Sequence, residues 1–362
     1  MFDAADSAHM ARALQLAAQG RYGAHPNPMV GCVIVRDGAV VGEGWHEKAG
    51  ELHAEIHALQ AAGDRARGAT VYVSLEPCAH HGKTPPCADA LVEAGVGKVV
   101  AAMEDPFADV AGRGLQRLRE AGIEVEAGLM RAAAESLNAG FISRVQRGRP
   151  LVRLKVAASL DGATAMQSGE SQWITGAAAR RDVHRLRAMS GAVMTGIGTV
   201  LADDPSLNVR DVETRGRQPL RVVIDSRLRM SPEARMLGLP GDTLVCCTQG
   251  RDGANLERAG AQVQEFGAHG EGVNVFEVLA ALAEREVNDV LVEAGPRLSG
   301  YLVEKELVDE LVIYLAPHIM GSQTRGMFDT PHWLALADRK AVEVIDLRRV
   351  GDDMKITARL TN

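Results

Sequence analysis

The sequence predicts two α/β domains in series, on three observations. Apolar runs of strand length alternate with helical patterns in both halves. The alternation pauses at Arg147-Gly148-Arg149-Pro150 and then restarts. A chain of 362 residues is also a little over two domains at roughly 150 residues each. Hydrophobic residues at 46% and charged residues at 24% exclude disorder, collagen and coiled coil as the overall class. With aromatics at 4%, the cores must be built from Ala, Val, Leu and Ile.

In the first half, residues 4–19 place Ala, Leu and Met at helical spacing. Residues 29–35 and 40–44 flank Asp37-Gly38 and read as a hairpin. A helix over 53–62, a strand over 69–74, a helix over 86–94 and a strand over 99–103 follow. The expected domain is an α/β sandwich over residues 1–147. After Pro150, strands are expected over 151–157, 192–195, 221–225, 243–247, 289–292 and 310–315. Helical patterns cover 177–189 and 275–285, and the second domain runs over 150–362. Residues 342–348 and 355–360 around Gly351-Asp352-Asp353 form a closing hairpin.

Net charge −7, from 40 Lys and Arg against 47 Asp and Glu, lacks the broad basic field of a nucleic-acid binder. No apolar stretch approaches the ~18 residues of a membrane span, and the N-terminus has no signal-peptide core. Five cysteines are too few and too irregular for a disulfide framework, so reduced thiols and a cytoplasmic setting are expected.

The strongest local signal is His53-Ala54-Glu55, then Pro77-Cys78, then Cys87. One imidazole and two thiolates leave a tetrahedral zinc an open position for water. Glu55 stands about 200° around a helix from His53, so it does not stack with it as a fourth ligand. It is placed instead to move the proton of metal-bound water, the division of labour in zinc deaminases. A structural zinc site needs a fourth Cys or His, for which His57, His80 and His81 are available. The second cysteine follows by C-x8-C rather than the C-x2-C of the general deaminase pattern.

In the second half, Thr195-Gly196-Ile197-Gly198-Thr199 and Val292-Glu293-Ala294-Gly295 are strand-to-glycine turns. Either suits a phosphate at a helix start, and either is compatible with a plain connection.

Larger motifs add a resemblance. Pro28-Met29-Val30-Gly31-Cys32-Val33, Gly44-Trp45-His46 and the stretch from Glu76-Pro77-Cys78 to Pro86-Cys87 resemble the deaminase domain of the bifunctional riboflavin-biosynthesis family. Leu154-Lys155-Val156-Ala157-Ala158-Ser159-Leu160-Asp161-Gly162, Gln172-Trp173-Ile174-Thr175, His184-Arg185-Leu186-Arg187 and the run from Gly198-Thr199 to Ser206-Leu207 resemble its reductase domain. The resemblance covers in effect the whole chain. It implies a cytidine-deaminase-like three-layer α/β/α domain followed by a dihydrofolate-reductase-like α/β domain. It implies zinc on His53, Cys78 and Cys87, with Glu55 as proton carrier. Asn27, His46, Lys83 and Asp105 would meet a diaminopyrimidine ribosylamine phosphate.

In the second domain it implies NADPH beside Ala157, Trp173, Thr199, Asp203 and the turn Gly295, Pro296, Arg297, Leu298, Ser299, Gly300 and Tyr301. Ser171, Arg187, Leu207, Arg210 and Glu293 would line the substrate. Lys155 and Asp161 stand as candidates for proton delivery. Asp225-Ser226-Arg227, at the end of a strand, is expected to meet the adenosine ribose, with Ser226 and Arg227 holding a 2′-phosphate. The expected partner is a small phosphorylated pyrimidine, with no nucleic acid and no membrane, and the chain is expected to form a homo-oligomer. The rival readings are a nucleic-acid deaminase fused to an unrelated domain and a zinc and nucleotide sensor without turnover. Net charge opposes the first, and the proton-carrying Glu55 opposes the second.

Overall fold

Asp3 opens the first helix, α1 (Ala4–Ala17). Its carboxylate accepts from the Asp6 N–H at 2.8 Å while Asp6 accepts from the Asp3 N–H at 2.9 Å. This reciprocal pair satisfies two donors that a helix start leaves without partners. The computed structural model describes residues 2–79, 85–107 and 110–361. The chain divides into two units, Met1–Gly148 and Arg149–Asn362.

In the first unit, β1 (Gly31–Arg36) pairs antiparallel with β2 (Ala39–Trp45), Cys32 opposite Gly44. On its other side it pairs antiparallel with β3 (Thr70–Val73), Cys32 opposite Val73. Parallel strands β4 (Lys98–Ala101) and β5 (Glu124–Ala127) complete the order β2-β1-β3-β4-β5. Side chains alternate along each strand, which divides the core in two. Met10, Ala13 and Leu16 of α1 pack with Val33, Tyr72 and Val100 on one face. On the other, α2 (Ala54–Ala62), α3 (Cys87–Ala94) and α4 (Arg113–Glu120) pack Ala58, Leu91 and Leu118 against Ile34, Val71 and Val99. Three layers result, as expected. Strand β5 was not expected. Its Glu-Val-Glu-Ala alternation is half charged, and Lys98 bridges Glu124 and Glu126 at 2.8 and 2.5 Å on this sheet edge. Helices α5 (Arg131–Leu137) and α6 (Ala139–Arg147) end the unit.

The second unit carries β6 (Leu151–Ser159), the short β7 (Ala163–Met166), α7 (Ala177–Met189), β8 (Ala192–Gly196), α8 (Ile197–Asp203), β9 (Leu220–Ile224) and β10 (Thr243–Thr248). It continues through α9 (Ala254–Arg258), β11 (Gln262–Phe266), β12 (Ala268–His269), β13 (Gly272–Val273), α10 (Val275–Glu284) and β14 (Asp289–Val292). It ends with α11 (Pro296–Glu304), β15 (Glu310–Ala316), β16 (Thr324–Gly326), β17 (Ala341–Val350) and β18 (Asp353–Thr361). Nine strands form one sheet in the order β11-β10-β9-β8-β14-β6-β15-β18-β17.

Helices α10 and α11 cover the face of Val222 and Leu244, and α7 covers the face of Val223 and Val245. Strands β6, β14, β8 and β9 are mutually parallel, so their carboxyl ends share one edge. That edge is where α/β sheets bind ligands. The expected closing hairpin is present as β17 and β18, turning at Gly351 with φ +66°.

Candidate active sites

In the first unit, helix starts bring the metal-type side chains together. His53 is the N-cap of α2 and Cys87 is the first residue of α3. His53 Nδ1 lies 3.3 Å from Cys87 Sγ and 3.7 Å from Cys78 Sγ, and all three ligand atoms fall within 4.8 Å of one another. Zinc bonds of roughly 2.0–2.1 Å to nitrogen and 2.3 Å to sulfur predict an N···S edge of about 3.5 Å in a tetrahedral site, so the residues fit the ion. The Cys87 N–H donates to Cys78 Sγ at 3.3 Å. The Cys87 thiol, then His53, hold the Cys78 thiol well below its ordinary value, which favours thiolate. Among the described residues no fourth Cys or His joins the group.

Glu55, the second residue of α2, is buried. Burial pushes its carboxyl up to about 7, with His53 pulling the other way. A carboxyl titrating near neutrality suits a group that must both take and give a proton.

Asn27 and His46 come together next to His53. His46 is buried, and burial lowers its basicity, so the ring is neutral. Its Nδ1 sits 3.1 Å from the Leu52 carbonyl oxygen, which only a donor can satisfy. That leaves Nε2 to accept from Asn27 Nδ2 at 3.1 Å. The Asn27 side-chain oxygen is thereby turned into an oriented acceptor for a ligand N–H. The rings of His46 and His53 meet edge to face at 5.3 Å, which ties this pair to the metal-type group. Asp105 lies in the loop after β4, its N–H bound to Glu76 at 3.0 Å. Lys83, with His80 and His81, lies outside the described residues.

In the second unit the carboxyl ends of β6, β8, β9 and β14 open into a cleft of about 1500 Å³. A single-ligand site occupies roughly 300–1,000 Å³, so the cleft has room for two molecules. Lys155, Ala157, Ser171, Trp173, Arg187, Thr199 and Asp203 line it. So do Leu207, Arg210, Glu293, Gly295, Pro296, Arg297 and Leu298. At its base the Glu293 carboxylate accepts from Arg187 Nε at 2.5 Å and Nη2 at 3.0 Å, with Lys155 Nζ at 3.8 Å. Burial alone would raise Glu293, but Arg187 and Lys155 overcome it and hold the carboxyl at about 2. Burial also lowers Lys155. Gly295 is the N-cap of α11 with Pro296 in its first turn, and its N–H donates to Thr199 Oγ1 at 3.2 Å. A helix start of this kind, among arginines, fits an anionic dinucleotide.

Other sequence-expected residues fall elsewhere. Ser299 is fully buried, its Oγ donating to the Ala294 carbonyl at 3.3 Å. Gly300 is required by packing, since a Cβ there would sit 2.0 Å from the Asp329 carbonyl oxygen. Tyr301 is outside the cleft lining and its hydroxyl lies 3.3 Å from His269 Nδ1. Ser226 is also outside the lining, and its Oγ accepts the Val273 N–H at 3.0 Å. Asp161 is exposed and accepts from Ser159 Oγ, Met320 N–H and Gly321 N–H, a turn anchor away from the cleft.

Among the lining residues that went unassigned in the sequence are Arg180, His184 and Arg325. Arg180 and His184 share a face of α7 with Arg187, at i, i+4 and i+7, a spacing that points to them. The Arg180 guanidinium stands 4.7 Å from the Trp173 ring centre. His184 Nδ1 accepts the Arg210 N–H at 3.2 Å, and burial followed by Arg187 lowers its ring to about 4, so it stays neutral. Arg325 comes from β16, for which the sequence gives no pattern.

A deaminase-type metal cluster on one unit and a dinucleotide-sized cleft on the other define a two-domain deaminase and reductase. Comparison with known proteins agrees. Residues 3–103 match the cytidine and deoxycytidylate deaminase zinc-binding region, and residues 150–356 match the RibD C-terminal domain. The riboflavin biosynthesis protein RibD of Escherichia coli K12 is 50% identical over 96% of this chain and 98% of its own. That of Haemophilus influenzae is 46% identical, covering 98% of each. The solved structure of Acinetobacter baumannii RibD superposes with TM-score 0.93 at 45% identity, covering 99% of both chains. A Thermotoga maritima diaminohydroxyphosphoribosylaminopyrimidine deaminase/5-amino-6-(5-phosphoribosylamino)uracil reductase gives TM-score 0.87 at 32% identity, again over 99% of both. The chain belongs to the RibD family of bifunctional riboflavin-biosynthesis enzymes. Among the described residues no helix is long and apolar enough to cross a membrane.

Proposed function

We propose that residues 1–147 hydrolyse the 2-amino group of 2,5-diamino-6-ribosylamino-4(3H)-pyrimidinone 5′-phosphate. Residues 150–362 then reduce the ribosyl to the ribityl group, giving 5-amino-6-(5-phospho-D-ribitylamino)uracil. The observation that carries this reading is the meeting of His53, Cys78 and Cys87 within 4.8 Å beside the buried Glu55. His53, Cys78 and Cys87 hold zinc, which when bound supplies a Lewis acid that brings hydroxide within reach of neutral pH. Glu55 takes the proton of the attacking water and returns it to the amino nitrogen, which leaves as ammonia. Asn27, held by His46, orients the ring through its side-chain oxygen. Asp105 and Lys83 meet the substrate's outer groups.

In the second unit NADPH, when bound, supplies hydride to C1′ of the open-chain imine form of the ribosylamine, whose nitrogen takes up a proton. Ala157, Trp173, Thr199, Asp203 and the α11 start hold the cofactor. Glu293 fixes the Arg187 fork, and Arg210, Ser171 and Leu207 complete the substrate wall. Exposed Arg210 is suited to the substrate phosphate, because a guanidinium fork binds a dianion bidentately. A homo-oligomer belongs to this reading. Strand β17 ends the sheet and exposes Val342, Val344, Ile345 and Leu347, an apolar row suited to a second copy of the chain. Light scattering that returned a monomer mass would refute it.

The test follows ammonia release and NADPH oxidation separately on the zinc-loaded chain and on its two fragments, cut between residues 147 and 150. The diaminopyrimidine should yield ammonia with fragment 1–147 and the deaminated product should oxidise NADPH with 150–362. Failure of both activities in the zinc-bound whole chain contradicts the assignment.

A further inference from the structure

Glu76 stands just before Pro77-Cys78 and is 5% exposed. Its carboxylate accepts four backbone N–H groups. Oε2 takes Asp105 at 3.0 Å and Gly112 at 2.9 Å, and Oε1 takes Gly114 at 2.8 Å and Leu115 at 3.3 Å. Gly114 and Leu115 are the second and third residues of α4, so an anion from a distant part of the chain caps that helix where the helix dipole favours it. The approach is close: a Cβ on Gly114 would sit 1.9 Å from the Pro77 carbonyl oxygen. The Glu76 N–H donates to the Met103 carbonyl at 2.9 Å, closing the same junction from the main chain. One buried side chain thus joins the segment that leads into Cys78 to the segment that carries Asp105.

We propose that Glu76 is the positioning residue of the deaminase site, setting the Asp105 loop at a fixed distance from Cys78. The inference rests on the reading of Asp105 as a substrate contact. A carboxylate is needed because it is acceptor-only on both oxygens, and all four groups facing it are donors. An amide in its place turns an NH2 toward two of those donors, and one half of the junction opens. When that half is Asp105 and Gly112, the Asp105 loop moves while the backbone that leads into Cys78 stays on β3. Substrate binding should therefore suffer before the metal or the proton carrier does.

The experiment uses the full zinc-loaded chain with Glu76→Gln, Asp105→Asn and the double variant. It reads zinc content, kcat and KM for ammonia release, and NADPH oxidation on the deaminated substrate. Asp105→Asn and Glu76→Gln should each raise KM about ten-fold with kcat within about three-fold. Zinc content and the reductase should be unchanged. The double variant should raise KM no further than the larger single effect, because both act through one contact. Independent effects multiplying to about a hundred-fold, or loss of zinc and kcat with KM unchanged, overturn the positioning role. A silent Asp105→Asn overturns instead the reading of Asp105. Should Glu76→Gln not fold, Glu76→Asp keeps the charge on a shorter stem, and the same non-additivity with Asp105→Asn is required of it.

Discussion

The two sites are assembled in opposite ways. The first takes its metal-type side chains and Glu55 from between residues 53 and 87, with His53, Glu55 and Cys87 on the starts of two helices and Cys78 in the segment between β3 and α3. The second spreads its lining from Lys155 to Asp329, drawing on β6, β7, α7, β8, α8, β9, the turn after β14, α11 and β16. A compact motif stands or falls as a unit, whereas a distributed cleft loses one contact at a time. Perturbations of the metal-type side chains and Glu55 should therefore be all-or-none, and those of the cleft lining graded.

The largest expected effect is in the compact site. Cys78→Ser or Cys87→Ser should remove zinc and abolish ammonia release while NADPH oxidation on the deaminated substrate continues. Metal analysis beside the two assays reads this, and a serine variant that kept zinc and activity would break the contrast.

Next comes the base of the cleft. Glu293→Gln leaves Arg187 and Lys155 buried without their anion, a loss of ~3–5 kcal/mol for a broken buried pair. The acid dependence has a definite sign. The folded carboxyl, at about 2, lies below its ordinary value of 4.5. Its stabilisation is complete above that ordinary value and is lost as pH falls toward about 2. Urea unfolding between pH 6 and pH 3 should show the wild-type second unit losing stability on acidification. Glu293→Gln should lose less, and parallel curves for the two would count against the pair.

The smallest expected effect lies at Ser226 and Arg227, outside the cleft lining, where a 2′-phosphate contact is expected from the sequence. Ser226→Ala with Arg227→Ala should cost roughly ten-fold or more in NADPH preference over NADH, from a charge-assisted contact of ~1.5–3 kcal/mol. In the structure Ser226 Oγ already accepts the Val273 N–H, so this site requires the hydroxyl to serve two partners. Michaelis constants for both cofactors decide it. An unchanged ratio would place the 2′-phosphate elsewhere, and Arg229, which lines the cleft and stands 3.6 Å from Asp225, is one cation available there.

The same contrast explains what was legible in the sequence. His53, Glu55, Cys78 and Cys87 could be read from residue chemistry and spacing because a metal site of this kind is nearly local. The alternation of helices and strands likewise revealed two α/β units, since it depends only on period. Beyond the two strand-to-glycine turns, the reductase residues were legible by resemblance alone, because β6, β8 and β14 meet through pairings that no spacing encodes. Ser299, Gly300 and Asp161 show the cost. Asp161 lies in a matching motif, and Ser299 and Gly300 lie in the turn the resemblance assigns to the cofactor; in the structure Ser299 is buried, Gly300 is closely packed and Asp161 anchors a turn. Glu76 stayed unread for another reason: its partners are backbone N–H groups about thirty to forty residues away, which leave no mark on the sequence.

The most direct test of the account is Glu55→Gln in the full-length, zinc-loaded chain. The amide keeps the size and burial of the side chain but cannot take the proton of water. Zinc content should stay at one ion per chain, NADPH oxidation on the deaminated substrate should be unchanged, and ammonia release should fall by about 10²–10⁴. Ammonia release near the wild-type rate, with zinc bound, would contradict the proton-carrying role on which the reading of the first site depends.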